Sequence, residues 1–431
     1  MRQTGLNRSK RQRIVTALDV GTSKICCLIA KTWSAPDWLE VAGEGVQFEI
    51  LGFGHHRAEG LKSGMVTHLD RAEHCIRSAV DAAERMAGVI VEEAHVAVTC
   101  GRLQSETFSA SVALPSGVVR EDDTLRILAG ARQYAERDKR SVLHALPTGY
   151  RLDDNGGIRD PLAMCGERLG IDVHAVTADE VAMRNLSLCV ERCHLEVTRL
   201  VAAPYASALA VMTPDEAKLG VACIDFGAGT TTLSVFVDGQ FIHIDAIALG
   251  GNGLTADIAR ALSAPLDHAE RLKTLHGSAF AAASDEREII TFPSVGESER
   301  GSMNQINKAQ LAVILRPRIE EILDLMRRRL AACGHASDAA RHLVLTGGGS
   351  QLTGLTELTS NMFGRPVRLG RPRSLNGLPD GGTGPDFAGA IGLLLQSARG
   401  DDRLSGRAEQ RFLRTGTGYL ARVSDWIRDN F

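Results

Sequence analysis

IVTALDVGTSKICCLIA, residues 14–30, and GVACIDFGAGTTTLSVFV, residues 220–237, decide the fold of this 431-residue chain. Each segment is an apolar run that ends in an aspartate, a glycine-bearing turn with hydroxyl side chains, and a second apolar run. The two aspartates, Asp19 and Asp225, lie 206 positions apart (225 − 19). A repeated order of strand, aspartate, glycine turn and strand predicts two duplicated α/β halves that face each other.

Both turns have the composition of phosphate-binding loops. A tight turn between two strands exposes backbone N–H groups that can hold a phosphate, and glycine permits the close approach that this needs. Asp19 and Asp225 are placed to hold Mg²⁺ through water, since this ion keeps much of its hydration shell. The predicted phosphate ligands are Gly21, Thr22, Ser23, Lys24, Gly227, Gly229, Thr230, Thr231 and Thr232. The alternative is a pair of ordinary hairpins with polar turns.

A third motif argues against that alternative. LVLTGGGS, residues 343–350, reads as a strand, a glycine-rich turn and then a helix from Leu352. Gly347, Gly348 and Gly349 would let the backbone lie flat against a planar ring such as adenine. Glycine-rich turns are common, so the information lies in the position of this one after both phosphate turns. The three motifs together predict an ATP site with Mg²⁺ in the cleft between the halves.

The length of the chain limits the number of domains, and its net charge limits the class of partner. A chain of 431 residues is long for one core and predicts two or more domains. The formal net charge of −3 argues against a nucleic-acid partner. The predicted divisions are a basic head at 1–12, a first half at 13–93 and 178–213, an inserted α+β subdomain at 94–177, a second half at 214–254 and 309–395, a smaller subdomain at 255–308, a flexible linker at 396–416 and an amphipathic helix at 417–431.

The C-terminal segment has the pattern of a membrane-surface helix. At about 100° per residue, Leu420, Val423, Ile427 and Phe431 share one face, and Trp426 extends it. A helix from residue 418 to the end would be about 21 Å long, which is too short to span a bilayer and suited to its interface. The alternative is a terminal helix docked on its own core. The charged linker before the segment favours attachment to anionic lipid.

The order DVGTSK, DFGAGTT and LTGGGSQLTGL resembles the phosphate-one, phosphate-two and adenosine motifs of the actin and sugar-kinase superfamily. The wider pattern resembles the FtsA family of bacterial cell-division proteins over about residues 13–395 and the tail. The insert at 94–177 resembles the 1C subdomain of that family, and Val98–Arg102 is similar to the strand that enters it. Residues 269–277 resemble a helix in which Glu270 and Lys273 face the ribose.

The resemblance implies an α/β, actin-like fold of two halves around a nucleotide cleft. It also implies an ATP-binding, self-associating protein on the cytoplasmic face of the inner membrane at the division septum. The implied partners are the C-terminal peptide of FtsZ, further copies of the chain in filaments, later membrane proteins of the division machinery, and anionic lipid. FtsZ docking is expected at 255–308, around Ser294–Lys308, where Arg300 and Lys308 could meet an acidic peptide.

One departure from the wider superfamily concerns hydrolysis. Relatives carry a glutamate before the proline of the segment that links the halves, and it orients the attacking water. Here the segment is VAAPY, residues 201–205, with Ala203 at that position. We therefore assign no catalytic residue and expect at most a weak ATPase. The open alternatives are an ATP-dependent enzyme of the same fold, such as a sugar kinase, and a pilus-assembly ATPase.

Overall fold

The computed structural model describes residues 12–34, 46–296, 303–334, 337 and 339–398. The predicted head at 1–12, apart from its last residue, the linker beyond residue 398, the terminal helix at 417–431 and Arg300 lie outside the described residues. No helix in the described part is long and apolar enough to cross a membrane.

Strands and helices alternate along the chain. The described strands are β1 Arg13–Val20, β2 Lys24–Ser34, β3 Val46–Arg57, β4 Leu61–Lys62, β5 Met65–Val66, β6 Glu93–Val98, β7 Gln104–Ala113, β8 Arg140–Leu152, β9 Asn155–Ile158, β10 Arg168–Asp179, β11 Glu196–Ala202, β12 Val221–Phe226, β13 Thr231–Val237, β14 Gln240–Ile247, β15 Ile289–Pro293, β16 Met303–Asn307, β17 His342–Thr346 and β18 Val367–Leu369. The described α-helices are α1 Leu69–Ala87, α2 Glu121–Ala135, α3 Glu180–Glu191, α4 Ala203–Val211, α5 Pro214–Leu219, α6 Gly251–Leu262, α7 Leu266–His276, α8 Lys308–Ala331, α9 Leu355–Phe363 and α10 Ala388–Ala398.

Two five-stranded sheets have the same topology, with strand orders β3-β2-β1-β6-β11 and β14-β13-β12-β17-β18. In each sheet the strand that carries the aspartate, β1 or β12, lies in the middle. It pairs antiparallel with the strand that follows the glycine turn and parallel with the strand on its other side. The outer pairs also correspond, antiparallel on one side and parallel on the other. The predicted duplication of the halves is therefore confirmed.

The insert forms a separate four-stranded sheet in the order β7-β10-β8-β9. Its own small core contains Ile127 of α2 with Leu169, Ile171 and Val173 of β10. The predicted start of the insert at residue 94 is too early. Strand β6 pairs in parallel with β1 and with β11, so Ala94–Val98 belongs to the sheet of the first half.

Two helices join the halves. Helix α4 follows β11 of the first sheet and packs on β12 of the second, whereas α10 comes at the end of the second half and packs on β1 of the first. The two helices cross at very close range. A β-carbon at Gly392 of α10 would lie 1.8 Å from the carbonyl oxygen of Ala206 in α4. Position 392 therefore requires glycine, because the crossing leaves no space for a β-carbon.

The crossing gives a matched pair of substitutions. We expect Gly392→Ala to lower the free energy of unfolding by about 1–3 kcal/mol, because the added methyl group meets backbone. Gly130→Ala, in the exposed part of α2 where a β-carbon would meet nothing within 4 Å, should instead stabilise the protein by up to about 1 kcal/mol. Thermal unfolding of the two variants checks both signs. Equal effects would contradict the crossing geometry.

Candidate functional site

A cavity of about 350 Å³ lies between the two halves. Fifteen of the sixteen residues predicted to bind the nucleotide line it: Asp19, Gly21, Thr22, Ser23, Lys24, Asp225, Gly227, Gly229, Thr230, Thr232, Glu270, Lys273, Gly347, Gly348 and Gly349. The structure thus brings together segments that are more than 300 positions apart in the sequence (347 − 24 = 323).

The two glycine turns have matching backbone geometry. The N–H of Gly21 donates to the carbonyl oxygen of Lys24 at 3.0 Å, and the N–H of Gly227 donates to that of Thr230 at 2.9 Å. The turns also approach each other across the cleft. A β-carbon at Gly229 would lie 2.6 Å from Oγ1 and 2.7 Å from Cγ2 of Thr22. Any larger residue at Gly229 would therefore push the turns apart.

Thr231 is the predicted residue that does not reach the cavity. Its side chain is fully buried, and its hydroxyl donates to the carbonyl oxygen of Leu249 at 2.9 Å. Successive side chains of a strand point to opposite faces. The neighbouring Thr232, also a predicted ligand, pairs with Asp225 across the hairpin and does line the cavity.

Asp19 and Asp225 are two half-buried carboxylates that line the site. Burial, together with the nearby charge of Asp225, raises the pKa of Asp19 to about 6, although Lys24 opposes the shift. Burial also raises the pKa of Asp225, while the hydroxyl of Ser207 donates to its Oδ2 at 2.6 Å and opposes the shift. Each carboxylate is therefore held in a place where its negative charge is costly.

Glycines make room for both carboxylates. A β-carbon at Gly347 would lie 2.2 Å from Oδ1 of Asp225, and one at Gly389 would lie 2.5 Å from Oδ2 of Asp19. Gly347 also has a φ of +82°, which favours glycine for a second reason. Two hard oxygen donors that repel each other fit a divalent cation such as Mg²⁺, which would relieve that repulsion.

Lys24 reaches across the cleft. Its ammonium group lies 2.5 Å from Oδ2 of Asp386 and 3.1 Å from the ring centroid of Phe387. Asp386 also lines the cavity. The predicted phosphate-facing lysine thus has an ion-pair partner that the sequence analysis did not identify.

A polar network closes the other end of the cavity. The ammonium of Lys273 donates to Oε2 of Glu270 at 2.7 Å, to Oγ1 of Thr255 at 2.9 Å and to the carbonyl oxygen of Gly251 at 3.2 Å. The hydroxyl of Thr255 donates to the same oxygen of Glu270 at 2.5 Å. Helices α6 and α7 are joined by these contacts, which fix both predicted ribose-side residues.

The glycine run packs directly on the second phosphate strand. A β-carbon at Gly349 would lie 2.3 Å from Cδ1 of Phe226, the last residue of β12. The helix predicted from Leu352 starts later. A 3₁₀ turn covers Gly348–Gln351, and α9 begins at Leu355.

Ala203 lines the cavity at the first residue of α4. The position before Pro204 thus faces the site, and a methyl group stands there. The carboxylates among the described lining residues are Asp19, Asp225, Glu270 and Asp386, and Gln351 contributes an amide.

Ser207, Asp386 and Gly389 are the contacts that sequence reasoning missed. A weaker internal repeat relates two of these residues, Ser207 and Gly389. APYASALAV, residues 203–211, corresponds to PDFAGAIGL, residues 385–393, at a separation of 182 (389 − 207). In this register Ser207, which contacts Asp225, corresponds to Gly389, which approaches Asp19.

Comparisons with known proteins agree with this architecture. The family model described as "Cell division protein FtsA" matches residues 222–392, and the model described as "SHS2 domain inserted in FTSA" matches residues 100–177. A relative from Agrobacterium fabrum, "Cell division protein FtsA", is 45% identical over 98% of this chain and 96% of its own length.

Two solved structures are similar in fold. The "PilM-PilN type IV pilus biogenesis complex" has a TM-score of 0.62 at 17% identity, covering 89% of this chain and 98% of that one. MreB5 of Spiroplasma citri bound to ADP has a TM-score of 0.53 at 14% identity, covering 91% and 98%. The predicted actin-like α/β fold with an inserted subdomain is confirmed.

The raised pKa of Asp19 has a measurable consequence. Because this pKa is about 6 in the folded chain, above its ordinary 3.8, ionised Asp19 opposes folding above about pH 6, and the penalty fades as the pH falls toward 4. We expect Asp19→Asn to stabilise the ligand-free protein at about pH 7.5, on the order of 1–3 kcal/mol. Thermal unfolding of variant and wild type across this pH range is the measurement. A gain that does not change with pH would contradict the assignment.

Proposed function

The chain belongs to the FtsA family of cell division proteins, and we propose that it binds ATP with Mg²⁺ between its halves and links FtsZ to the inner membrane at the septum. One observation supports the proposed binding of ATP. Two turns closed by the same backbone hydrogen bond face each other across the cavity, each preceded by a half-buried aspartate. The similar fold of MreB5, solved with ADP bound, supports it.

Each lining group has a role in this proposal. Backbone N–H groups and hydroxyls of the two turns hold the phosphates. Asp19 and Asp225 hold Mg²⁺ through water, and the cation neutralises part of the phosphate charge. Glu270 and Lys273 lie on the ribose side. The adenine ring lies against the turn of residues 347–349, where Gly348 carries no side chain that would obstruct it.

ATP acts in this proposal as a ligand that holds the halves together. Efficient hydrolysis needs a group that positions or deprotonates the attacking water. Ala203 offers neither hydrogen-bond acceptor nor base at the cavity wall. A sugar kinase would also need a catalytic base beside a second substrate, and no sequence signature indicates one.

We expect calorimetry to show ATP binding in the presence of Mg²⁺ and its loss when EDTA removes the cation, because four carboxylates line the cavity. Gly229→Val should weaken binding by at least about tenfold, since its side chain would drive Thr22 and the first turn away. Steady-state turnover should stay near background. A robust ATPase that Asp225→Ala abolishes would contradict the ligand role.

A groove of about 410 Å³ between α7 and β15 is the proposed FtsZ site. Exposed apolar side chains, Leu275, Ile289 and Met303, line it together with His268, Arg271 and His276. Glu288 also lines it and lies 3.5 Å from His276, so that Arg271 and His268 are the groups available to an acidic residue. This combination fits a short peptide with apolar anchors and acidic residues. Lys308, named from the sequence, already pairs with Asp285 at 3.6 Å and Glu288 at 3.4 Å. Its positive charge is therefore already paired with carboxylates of the subdomain 255–308.

The proposed membrane anchor is the segment 417–431, with Leu420, Val423, Trp426, Ile427 and Phe431 on its apolar face. A short amphipathic helix of this kind lies in the interface, and binding is strengthened by anionic lipid. Filaments of the chain on the membrane would multiply the number of anchors and recruit later division proteins. These assembly roles rest on family membership.

Co-sedimentation with anionic vesicles tests both proposed contacts, that of the chain with the membrane and that of the chain with FtsZ. We expect the full chain to carry FtsZ into the pellet, and deletion of residues 418–431 to leave both proteins in the supernatant. Ile289→Glu should leave the chain on the vesicles and release FtsZ. Val313→Glu, at an exposed position of α8 that lies outside both the groove and the segment 294–308, is the matched control. Unchanged sedimentation after the deletion would refute the anchor.

A further inference from the structure

We propose that Asp386 competes with the phosphates of the bound nucleotide for the ammonium group of Lys24, and so sets how much phosphate charge is needed to occupy the cleft. The inference rests on the proposed nucleotide function. It assigns to Asp386 a role opposite to that of the other lining residues, because its presence weakens binding.

The geometry shows a fully engaged ammonium group. Nζ of Lys24 lies 2.5 Å from Oδ2 of Asp386, within a charge-assisted hydrogen bond. The same atom lies 3.1 Å from the ring centroid of Phe387, on a face whose quadrupole attracts cations. Phe387 is itself buried and packs on Phe53 at 5.2 Å between ring centroids. Asp386 and Phe387, which are adjacent in the sequence, therefore both contact the ammonium group of Lys24.

The ion pair connects the two halves of the protein. Lys24 is the first residue of β2 in the first half. Asp386 is attached to the second half, since the carbonyl oxygen of the preceding Pro385 accepts from the N–H of Gly347 at 3.2 Å and from the hydroxyl of Thr346 at 3.3 Å. The carboxylate is thereby fixed beside the glycine run and opposite the first phosphate turn. It occupies the place of an anion at the lysine.

Both ammonium groups among the described lining residues are already paired with carboxylates. Among the described lining residues there are four carboxylates and two ammonium groups, those of Lys24 and Lys273. Lys273 is paired with Glu270 at 2.7 Å, and Lys24 is paired with Asp386. A polyphosphate that reaches the first turn must therefore share or displace a carboxylate. Asp386 is the one it meets at Lys24, and like charges in a partly buried cleft repel.

Asp386 could otherwise serve only to orient Lys24 for the ligand. The two roles predict opposite signs. If Asp386 competes, removing its charge tightens nucleotide binding, and the gain requires Lys24. If Asp386 orients the amine, removing it weakens binding as loss of the lysine does.

A double-mutant cycle measured by calorimetry with Mg²⁺ and ATP decides between them. We expect Asp386→Asn to tighten binding by about tenfold, Lys24→Met to weaken it, and Asp386→Asn to give no gain in the Lys24→Met background. Asp386→Glu, which keeps the charge, should bind like wild type. Asp380→Asn removes the same charge from an exposed position on the same segment and should change nothing.

Each outcome has a distinct meaning. Weaker or unchanged binding by Asp386→Asn, with wild type binding ATP, overturns the competition while leaving the proposed function intact. A tenfold gain that persists in the Lys24→Met background also overturns it, because the effect would then not pass through the ammonium. A wild type that binds no ATP refutes the proposed function itself. Thermal unfolding of the ligand-free variants checks that each is folded.

Discussion

The repulsion between two half-buried aspartates is the constraint on which the rest of the structure depends. Asp19 and Asp225 are the penultimate residues of the central strands of two equivalent sheets, and burial raises the pKa of each. Two such charges can lie in one cleft only if the neighbouring residues are small and polar groups lie within hydrogen-bond distance. Gly347, Gly389 and Ser207 meet this requirement. The small residues around the cavity therefore follow from the pair of carboxylates.

The duplicated topology explains why the site is built from both halves at once. Each half sends one helix into the other, so that α4 brings a hydroxyl to the aspartate of the second sheet and α10 brings a glycine to that of the first. The two repeats are alike in backbone and different in chemistry. Asp225 has a donor at hydrogen-bond distance, whereas the equivalent position beside Asp19 carries no side chain.

The sequence predicted the parts of the site that are encoded locally. Strand, aspartate and glycine turn are adjacent in the chain, so the two phosphate turns and the glycine run could be identified without coordinates. Partners that depend on distant pairing could not. Asp386 meets Lys24 from 362 positions away, and β6 joins the first sheet through parallel pairing that no local pattern shows. Thr231 was misplaced because a run of three threonines hides which one faces inward.

The close crossing of α4 and α10 also limits how the protein can move. With Gly392 packed against the backbone of Ala206, the halves cannot slide past each other along these helices without a clash. What remains is rotation about the point of contact, as in a pivot. Displacements then grow with distance from that point, as along a lever arm. In such a rotation the aspartates beside the crossing would move little, whereas the groove between α7 and β15 would move further. A small change at the cavity would then be accompanied by a larger displacement at that groove.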